Sequence, residues 1–280
     1  MTDLLPSPPL ASRRPAPPSA LAIGWARVAL ELRLFVRDPG QLVFSFAYPV
    51  VMLVIFGSIF GDREVAPGVD FRQYFLAGIA ATGIMLTSFQ AVGLAITEER
   101  DRGDLLRLQT LGTPPLAYGI GKAGQVVLTT AVQLTVLLVV AATVYDVPMP
   151  GDAGRWLTFA WVAVLGILAG TVLGIAVSSF VGSARAAGTG IPAVAIVLQF
   201  FSGVFFVYSE LPGWMQQLAA VFPLKWMTQG MRSVFLPDAA AAAEPAGSWE
   251  HGTTAAVLAA WVIIGVVVCA RTFRWRRDAG

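Results

Sequence analysis

The sequence predicts an all-α integral membrane protein, and three observations lead to this fold class. Hydrophobic residues make up 56% of the 280 residues and charged residues only 13%, about half of the ~25% found in soluble domains. A soluble fold of this size cannot bury so much apolar surface. The apolar residues also form long uncharged runs, which are typical of transmembrane helices and not of the short alternating strands of a membrane barrel.

Six runs are long enough to span a membrane as helices, since a bilayer core about 30 Å thick requires about 20 residues. None of the six contains Asp, Glu, Lys, Arg or His, and a helix satisfies its own backbone polar groups. Pro49 in the first run and Pro192 in the fifth predict kinks or local unwinding. The predicted spans are residues 41–60, 74–96, 123–144, 157–180, 189–207 and 253–270.

A seventh apolar segment, residues 211–235, is not predicted to span. Lys225 and Arg232 would each cost about 2.5–3.5 kcal/mol at the membrane centre, and Pro223 interrupts the helix. We predict two short helices at the outer surface, able to dip into the interface or re-enter the membrane, with Trp214, Leu218 and Val221 on one face of the first. Both termini then lie in the cytosol, and 14 of the 19 Lys and Arg residues fall on the inner side, as the positive-inside rule requires.

Two segments precede the first span. Residues 1–20 contain six of the 18 prolines and no apolar stretch of a signal peptide, so they predict a disordered cytosolic tail, with residues 21–280 forming the membrane domain. Residues 21–38 predict an amphipathic helix lying flat on the membrane, as a simple anchor or as a lever for a cytosolic partner. Its predicted apolar face comprises Leu21, Trp25, Val28, Ala29, Leu32, Phe35 and Val36, and Arg27, Glu31, Arg33 and Arg37 lie off that face.

The segment between the second and third spans, residues 97–122, is the most informative soluble piece. Seven charged residues of both signs lie within ten positions, with leucines among them. Pro114 and Pro115 are predicted to end a short helix over residues 103–111. A plain connector needs fewer residues, which favours a docking element for a cytosolic partner over a solvated charge cluster that only orients the helices.

Within the spans, a few small and polar residues are informative. Gly166, Gly170, Gly174 and Ser178 recur every four residues and predict close helix packing, either inside the bundle or at a subunit contact. The polar residues Thr87, Ser88, Gln90, Gln133, Gln199 and Ser202 can join helix to helix or touch a substrate.

Composition excludes several classes of function. One Cys and one His exclude an intrachain disulfide and argue against a zinc site, and a net charge of +2 does not support nucleic acid as a partner. The spans hold no ionisable group to relay a proton, and no Walker A sequence is present. We therefore predict no catalytic residue, metal site or cofactor, and expect any transport to draw its energy from outside the chain.

The order and spacing of these features resemble the type-two ABC transporter permeases, the membrane subunits of ATP-binding-cassette exporters, and in particular the daunorubicin and multidrug-resistance branch. The resemblance covers nearly the whole chain after Ala20. This chain differs from the family at Gly103-Asp104, where the family commonly has Gly-Thr, and at the variable loop 239–243. The matching pieces are Arg37-Asp38-Pro39, Pro49, Glu98-Glu99-Arg100-Asp101-Arg102-Gly103, Leu108 to Pro114 with Lys122, Ser202-Gly203, Leu211-Pro212-Gly213-Trp214 and Pro223.

The resemblance implies a permease of the bacterial plasma (inner) membrane that pairs with a second copy or a paralogue and binds separate P-loop ATPases. Such a protein moves a lipophilic drug, lipid or metabolite out of the cytosol by alternating access, as in antibiotic efflux, while ATP hydrolysis takes place on the partner chain. The alternatives are an export permease for polysaccharide or lipid-linked glycan, and a membrane scaffold that transports nothing.

The resemblance also implies roles for individual residues. Those expected to couple to the ATPase are Glu98, Glu99, Arg100, Arg102, Gly103, Leu105, Leu106, Arg107, Thr113, Pro114 and Lys122. The connecting helix is expected to act through Trp25, Arg27, Arg33 and Arg37, and the translocation path is predicted to include Gln90, Gln199, Ser202 and Gly203. Residues 211–232 match the external re-entrant helices.

Overall fold

The structure is a computed structural model that describes residues 19–61 and 63–272. The predicted tail, residues 1–20, lies outside the described residues except for Ser19 and Ala20. The Ser19 hydroxyl accepts a hydrogen bond from Ala22 N at 3.2 Å and caps the first helix, α1 (Ala20–Arg37). The amphipathic helix therefore begins one residue before its predicted start.

Six helices of the described residues are long and apolar enough to cross a membrane, and they confirm the six predicted spans. Most extend beyond the apolar runs because polar residues at their ends are also helical. The fifth ends earlier than predicted, at Phe201, shortly before Gly203 adopts a φ of +72°. The six are α2 (Pro39–Phe60), the second span (Phe71–Asp101), α6 (Pro115–Val144), α7 (Ala153–Phe180), α8 (Ala184–Phe201) and α11 (His251–Thr272).

The second span forms the centre of the bundle. It consists of α3 (Phe71–Met85), a π-helical turn (Leu86–Gln90) and α4 (Ala91–Asp101), and it packs against α2, α7 and α8. The sequence analysis does not predict the π-helical turn. Such turns insert one extra residue into a helix and are frequent at functional sites.

The row of small residues on α7 packs inside the bundle, which decides between the two predicted uses of that row. A Cβ at Gly170 would overlap the Ser88 hydroxyl, and one at Gly174 would lie 2.6 Å from Phe89 O. Both neighbours belong to the π-helical turn. The glycines therefore let α7 approach the second span where that span is irregular.

Neither transmembrane proline unwinds its helix, since α2 and α8 remain helical through Pro49 and Pro192. Pro49 has no N–H, so the Ser45 carbonyl one turn earlier loses its helical donor. The side-chain amide of Gln133 on α6 replaces that donor, with Nε2 at 2.9 Å from Ser45 O. The proline thus creates a hydrogen bond between two spans.

The segment 211–235 forms two helices as predicted, α9 (Gly213–Val221) and α10 (Pro223–Phe235). The apolar face predicted for α9 is exposed at Trp214, Leu218 and Val221. Helix α10 does not lie on the surface: its residues Leu224–Phe235 are all buried against α3, α7 and α11, as expected for the re-entrant alternative rather than for an interfacial helix.

Pairing explains why α10 is buried despite its charges. Arg232 is fully buried, and its Nε lies 2.6 Å from Glu244 Oε1. Its guanidinium also lies 5.2 Å from the ring centroid of Tyr74. The penalty for inserting a single charge therefore does not apply to Arg232, because it is buried as an ion pair with Glu244.

Small elements complete this end of the bundle. Strands β1 (Glu64–Ala66) and β2 (Val69–Asp70) form an antiparallel hairpin between the first two spans. A short 3₁₀ helix (Tyr208–Glu210) precedes α9. The alanine-rich segment expected as a variable loop forms a second 3₁₀ helix (Asp238–Ala243), which brings Glu244 to Arg232.

Candidate functional site

The segment between the second and third spans is shorter than predicted. The second span stays helical to Asp101 and α6 begins at Pro115, so only residues 102–114 lie outside these helices. Between them, α5 (Asp104–Thr110) confirms a short helix. Glu98, Glu99 and Arg100 consequently sit on the rigid end of a span rather than in a loop.

A glycine ends α5, and the prolines begin α6. Gly112 has a φ of +70°, and Thr113 N donates to Leu108 O at 3.0 Å while Gly112 N donates to Gln109 O, which is a Schellman motif. Pro114 is the N-cap of α6. Gly103 before α5 also has a positive φ, of 81°, so both ends of this short helix are fixed by residues in the left-handed region.

The two faces of α5 differ in burial. Leu105 is fully buried and holds the helix against the bundle, whereas Leu106 is 40% and Leu111 78% exposed. The Arg107 side chain is exposed and lies 3.9 Å from Asp104. Helix α5 is therefore anchored to the bundle through Leu105 and exposes both apolar and charged side chains.

Beneath this surface lies a buried charge cluster formed by Arg27, Glu31, Glu99, Tyr118 and Lys122. Lys122 Nζ lies 2.7 Å from Glu31 Oε2 and 2.5 Å from Glu99 Oε1. Arg27 Nη2 donates to Glu31 Oε1 at 2.7 Å, and the Tyr118 hydroxyl donates to Glu99 Oε2 at 2.7 Å. Two cations balance two carboxylates, and together they join α1, α4 and α6.

The end of α4 is also hydrogen-bonded to the last turn of α7 and to the first residue of α8. The Arg100 guanidinium donates to the Ser178 carbonyl, and Asp101 Oδ2 accepts from Ala184 N at 2.6 Å. In contrast, the neighbouring pair Glu98–Arg102 is exposed, with 2.8 Å between its charged atoms. The residues predicted to couple thus divide into a buried anchoring set and an exposed set.

The packed face of α1 differs from the predicted apolar face. Gly24, Val28, Glu31 and Phe35 are its buried residues, and they lie mainly against α6. Only Val28 and Phe35 of the predicted face are buried. A Cβ at Gly24 would come within 2.9 Å of the Ile120 side chain, so the smallest residue determines which face approaches α6.

Several other residues of α1 face away from the protein. Trp25 is 68% exposed, and Arg33 and Arg37 are exposed as predicted. Glu31, which lies off the predicted apolar face, is at the centre of the face packed against α6, because Arg27 and Lys122 neutralise it. The sequence signal for this pairing was the four-residue spacing of Arg27 and Glu31 on one helix.

Two adjoining cavities lie between α1, α2 and the second span. The outer one, the charged cleft, has a volume of about 690 Å³ and includes the charge cluster residues Arg27, Glu31, Glu99 and Lys122 in its walls. The inner pocket has a volume of about 220 Å³ and reaches α6 at Gln133. The residues shared by both cavities are Asp38, Gln41, Ala95 and Glu98.

The structure separates the residues predicted for a translocation path. Gln90 lines the inner pocket. Gln199 does not line it, but its Oε1 accepts a hydrogen bond at 3.0 Å from the hydroxyl of Tyr48, which does. Ser202 and Gly203 lie beyond the end of α8, where Ser202 O accepts from Thr228 of α10 at 2.8 Å. Their role in transport stays a prediction.

A second group of buried charges lies on α10, which is not one of the six spans. Burial lowers the pKa of Lys225 to about 8, and Glu250 opposes this shift from 3.9 Å. Lys225 Nζ donates to the Gln229 side chain and lies 3.4 Å from the Trp226 ring centroid. The sequence analysis did not select this group, because Glu250 follows Lys225 only after α10 has ended.

Comparison with known proteins agrees with this architecture. Residues 25–236 match the ABC-2 type transporter family. The Probable multidrug ABC transporter permease YbhR of Escherichia coli K12 is 24% identical over 177 residues, which are 62% of this chain and 46% of that protein. The chain therefore spans about half the length of that relative.

Two further relatives match over more of their length. The daunorubicin resistance ABC transporter permease protein DrrB1 of Streptomyces coeruleorubidus is 24% identical over 94% of this chain and 90% of its own. The Probable doxorubicin resistance ABC transporter permease protein DrrC of Mycobacterium tuberculosis H37Rv is 23% identical over 79% of this chain and 81% of its own. Since the family match covers well over half of the 280 residues, this multi-pass membrane protein belongs to the ABC-2 type transporter family.

Proposed function

We propose that the chain is the permease subunit of an ATP-binding-cassette exporter and that a separate P-loop ATPase binds it at α5. The observation that supports this most is the exposed surface of α5, which packs against α4, the helix that carries Glu99 of the buried charge cluster. A partner pressing on Leu106 and Arg107 would push against α4 and α1 together, since the cluster joins the two helices through Lys122.

The surrounding surface supports the same docking site. The exposed pair Glu98 and Arg102 lies on the last turn of α4, next to α5. Arg33 and Arg37 are exposed on α1, and Arg37 lines the same cleft as Asp104 and Arg107 of α5. Such a mixed surface can be complementary to a soluble protein, whereas a lipid-facing surface would be apolar.

The proposed cargo is a lipophilic drug, lipid or metabolite that leaves the cytosol through a path including Gln90. Two relatives are named for resistance to daunorubicin and doxorubicin, which supports efflux and a role in antibiotic resistance. We propose that the permease works as a homodimer or with a paralogue in the bacterial inner membrane. Both termini would be cytosolic, because 14 of the 19 Lys and Arg residues then lie inside.

A pull-down with a matched pair of variants tests the docking site. The tagged chain is purified from gently solubilised native membranes, and co-purifying P-loop ATPases are identified and quantified by mass spectrometry. Arg107→Glu on α5 is expected to lower the amount of ATPase recovered. Arg63→Glu, at an exposed ion pair with Glu210 next to the β-hairpin, is expected to leave it unchanged.

Export provides the second readout. The double variant Glu98→Ala with Arg102→Ala is expected to abolish export while membrane insertion remains intact. Normal export by that variant would refute the coupling role of this surface. If no ATPase co-purifies under conditions that preserve a known transporter complex, the chain is better described as a scaffold.

A further inference from the structure

Two opposite charges in the wall of the charged cleft have no ion-pair partner. Arg37 is the last residue of α1, and Asp38 lies between α1 and α2. Both side chains line the cleft, and both residues are exposed. Neither forms an ion pair among the residues that the structure describes, whereas every other charged residue of this wall does. The cleft therefore offers a ligand one positive and one negative group.

The start of α2 holds the Asp38 carboxylate in place. Its Oδ1 accepts a hydrogen bond from Gln41 N at 3.0 Å, which caps the helix, so the second oxygen can accept from a ligand. Asp38 and Glu98 also line the inner pocket, and no Lys or Arg of the described residues does. The place where the two cavities adjoin is consequently acidic on its inner side and carries Arg37 on its outer side.

This place lies at the ends of two spans. Asp38 precedes the first span, which begins at Pro39, and Glu98 lies three residues before the end of the second at Asp101. Exposed apolar side chains flank it, since Leu34 in the cleft wall and Phe44 in the pocket wall are each 54% exposed. Charged groups beside apolar ones at the end of a span suit the boundary between the headgroup and the acyl chains of a lipid.

The inner pocket extends from this boundary along α2. Gln41 and Tyr48 both line it, and seven residues of helix correspond to about 10 Å. Phe44, Tyr48 and Leu86 contribute apolar surface to its wall. The pocket can therefore accept part of one acyl chain. None of the α5 residues lines it, so a molecule held there leaves the proposed docking helix accessible.

We propose that the place where the two cavities adjoin binds an aminophospholipid, with the ammonium group at Asp38, the phosphate at Arg37 and part of one acyl chain in the inner pocket. The two free charges favour a zwitterionic headgroup, because Asp38 repels the net negative charge of an anionic lipid. A primary ammonium is favoured over a quaternary one, because only the primary group has N–H donors for the carboxylate. This binding site goes beyond the proposed export function and does not depend on the cargo.

Two lipids that differ only in the ammonium group test the proposal. Dioleoyl phosphatidylethanolamine and dioleoyl phosphatidylcholine have the same acyl chains and phosphate. Native mass spectrometry of the full chain, purified in detergent and freed of lipid, measures the fraction that binds each one. Wild type is expected to bind the ethanolamine lipid about 2- to 5-fold more tightly, the range of one exposed ion pair.

Three variants assign the preference to this site. Asp38→Asn removes the charge but keeps the helix cap, because Asn is an equally good N-cap, and it is expected to reduce the preference to about one. The matched control is Asp152→Asn, at another exposed N-cap, where Oδ2 accepts from Arg155 N at 3.3 Å; it is expected to keep the preference. Arg37→Gln should weaken both lipids equally, because both carry the phosphate.

The proposal would be overturned by equal binding of the two lipids to wild type, or by a preference that persists in Asp38→Asn. A third arm separates a lipid from a soluble zwitterion. Glycerophosphoethanolamine has the same charges without acyl chains, and at equal concentration it is not expected to displace the lipid; displacement would identify a soluble ligand instead. These assays contain no ATPase, so their failure with normal recovery of ATPase in the pull-down would refute the lipid site alone.

Discussion

Lys122 is the residue whose loss should most affect the buried charge cluster. The substitution Lys122→Met keeps much of the aliphatic stem but removes the ammonium group that lies 2.7 Å from Glu31 and 2.5 Å from Glu99. The cluster then contains two carboxylates, Glu31 and Glu99, and one cation, Arg27. Removing one partner of a buried ion pair costs about 3–5 kcal/mol, a large part of the ~5–15 kcal/mol that stabilises a typical fold.

The free energy of unfolding is measured by titrating detergent-solubilised chain with sodium dodecyl sulfate and following helicity. The matched control is Arg102→Met, because the Arg102–Glu98 pair is similar in length at 2.8 Å, but its side chains are 63% and 54% exposed. An exposed pair contributes about 0–1 kcal/mol. We therefore expect the two cation-to-Met substitutions to differ by about 2 kcal/mol or more.

A double variant tests whether charge balance is the cause. Lys122→Met with Glu99→Gln restores neutrality, leaves the Arg27–Glu31 pair in place and keeps an acceptor for the Tyr118 hydroxyl. It should be more stable than Lys122→Met alone and recover more than half of the loss. A loss below about 1 kcal/mol in Lys122→Met, or no recovery in the double variant, would refute the assignment.

Three further predictions concern other sites. Gly170→Ala should lower the free energy of unfolding by about 1–3 kcal/mol through overpacking, whereas Gly188→Ala, with nothing within 4 Å of the new Cβ, should leave it unchanged or raise it by up to ~1 kcal/mol. Arg232→Met should cost about 3–5 kcal/mol and Arg63→Met, at an exposed pair, about 0–1 kcal/mol, measured by the same titration. Because the folded pKa of Lys225, about 8, is below its usual 10.5, the unfolded chain binds more protons between these values and stability rises with pH there. The thermal unfolding midpoint of wild type should thus rise relative to that of Lys225→Met between about pH 8 and pH 10, and a constant difference would contradict this.

The spans could be predicted because each is a local property: a long uncharged run requires no knowledge of the rest of the chain. The burial of α10 could not, since Arg232 is neutralised by Glu244, which follows after the helix has ended. An insertion penalty that is assigned to each residue separately treats Arg232 as an unpaired charge. In the same way, the sequence pattern places Glu31 off the apolar face of α1 but does not show that it packs inside the protein, where Lys122 Nζ lies 2.7 Å from it.

The face of α1 shows a second limit, which is specific to membranes. In water an apolar stripe identifies the packed face, but next to a bilayer both lipid and protein accept apolar side chains. Leu21 and Trp25 therefore stay exposed while Gly24 contacts α6. Close packing selects small residues such as Gly24.

The position of α4 connects the docking surface to the inner pocket. Glu99 belongs to the charge cluster, and Ala91 eight residues earlier lines the pocket, a distance of about 12 Å along one helix. Between them the helix is continuous, so α4 transmits a displacement of its end as a rigid body. The π-helical turn that precedes α4 lies against Gly170 and Gly174 of α7. We therefore expect movement at α5 to change the pocket first at Gln90 and Ala91, before it alters the packing of the other spans.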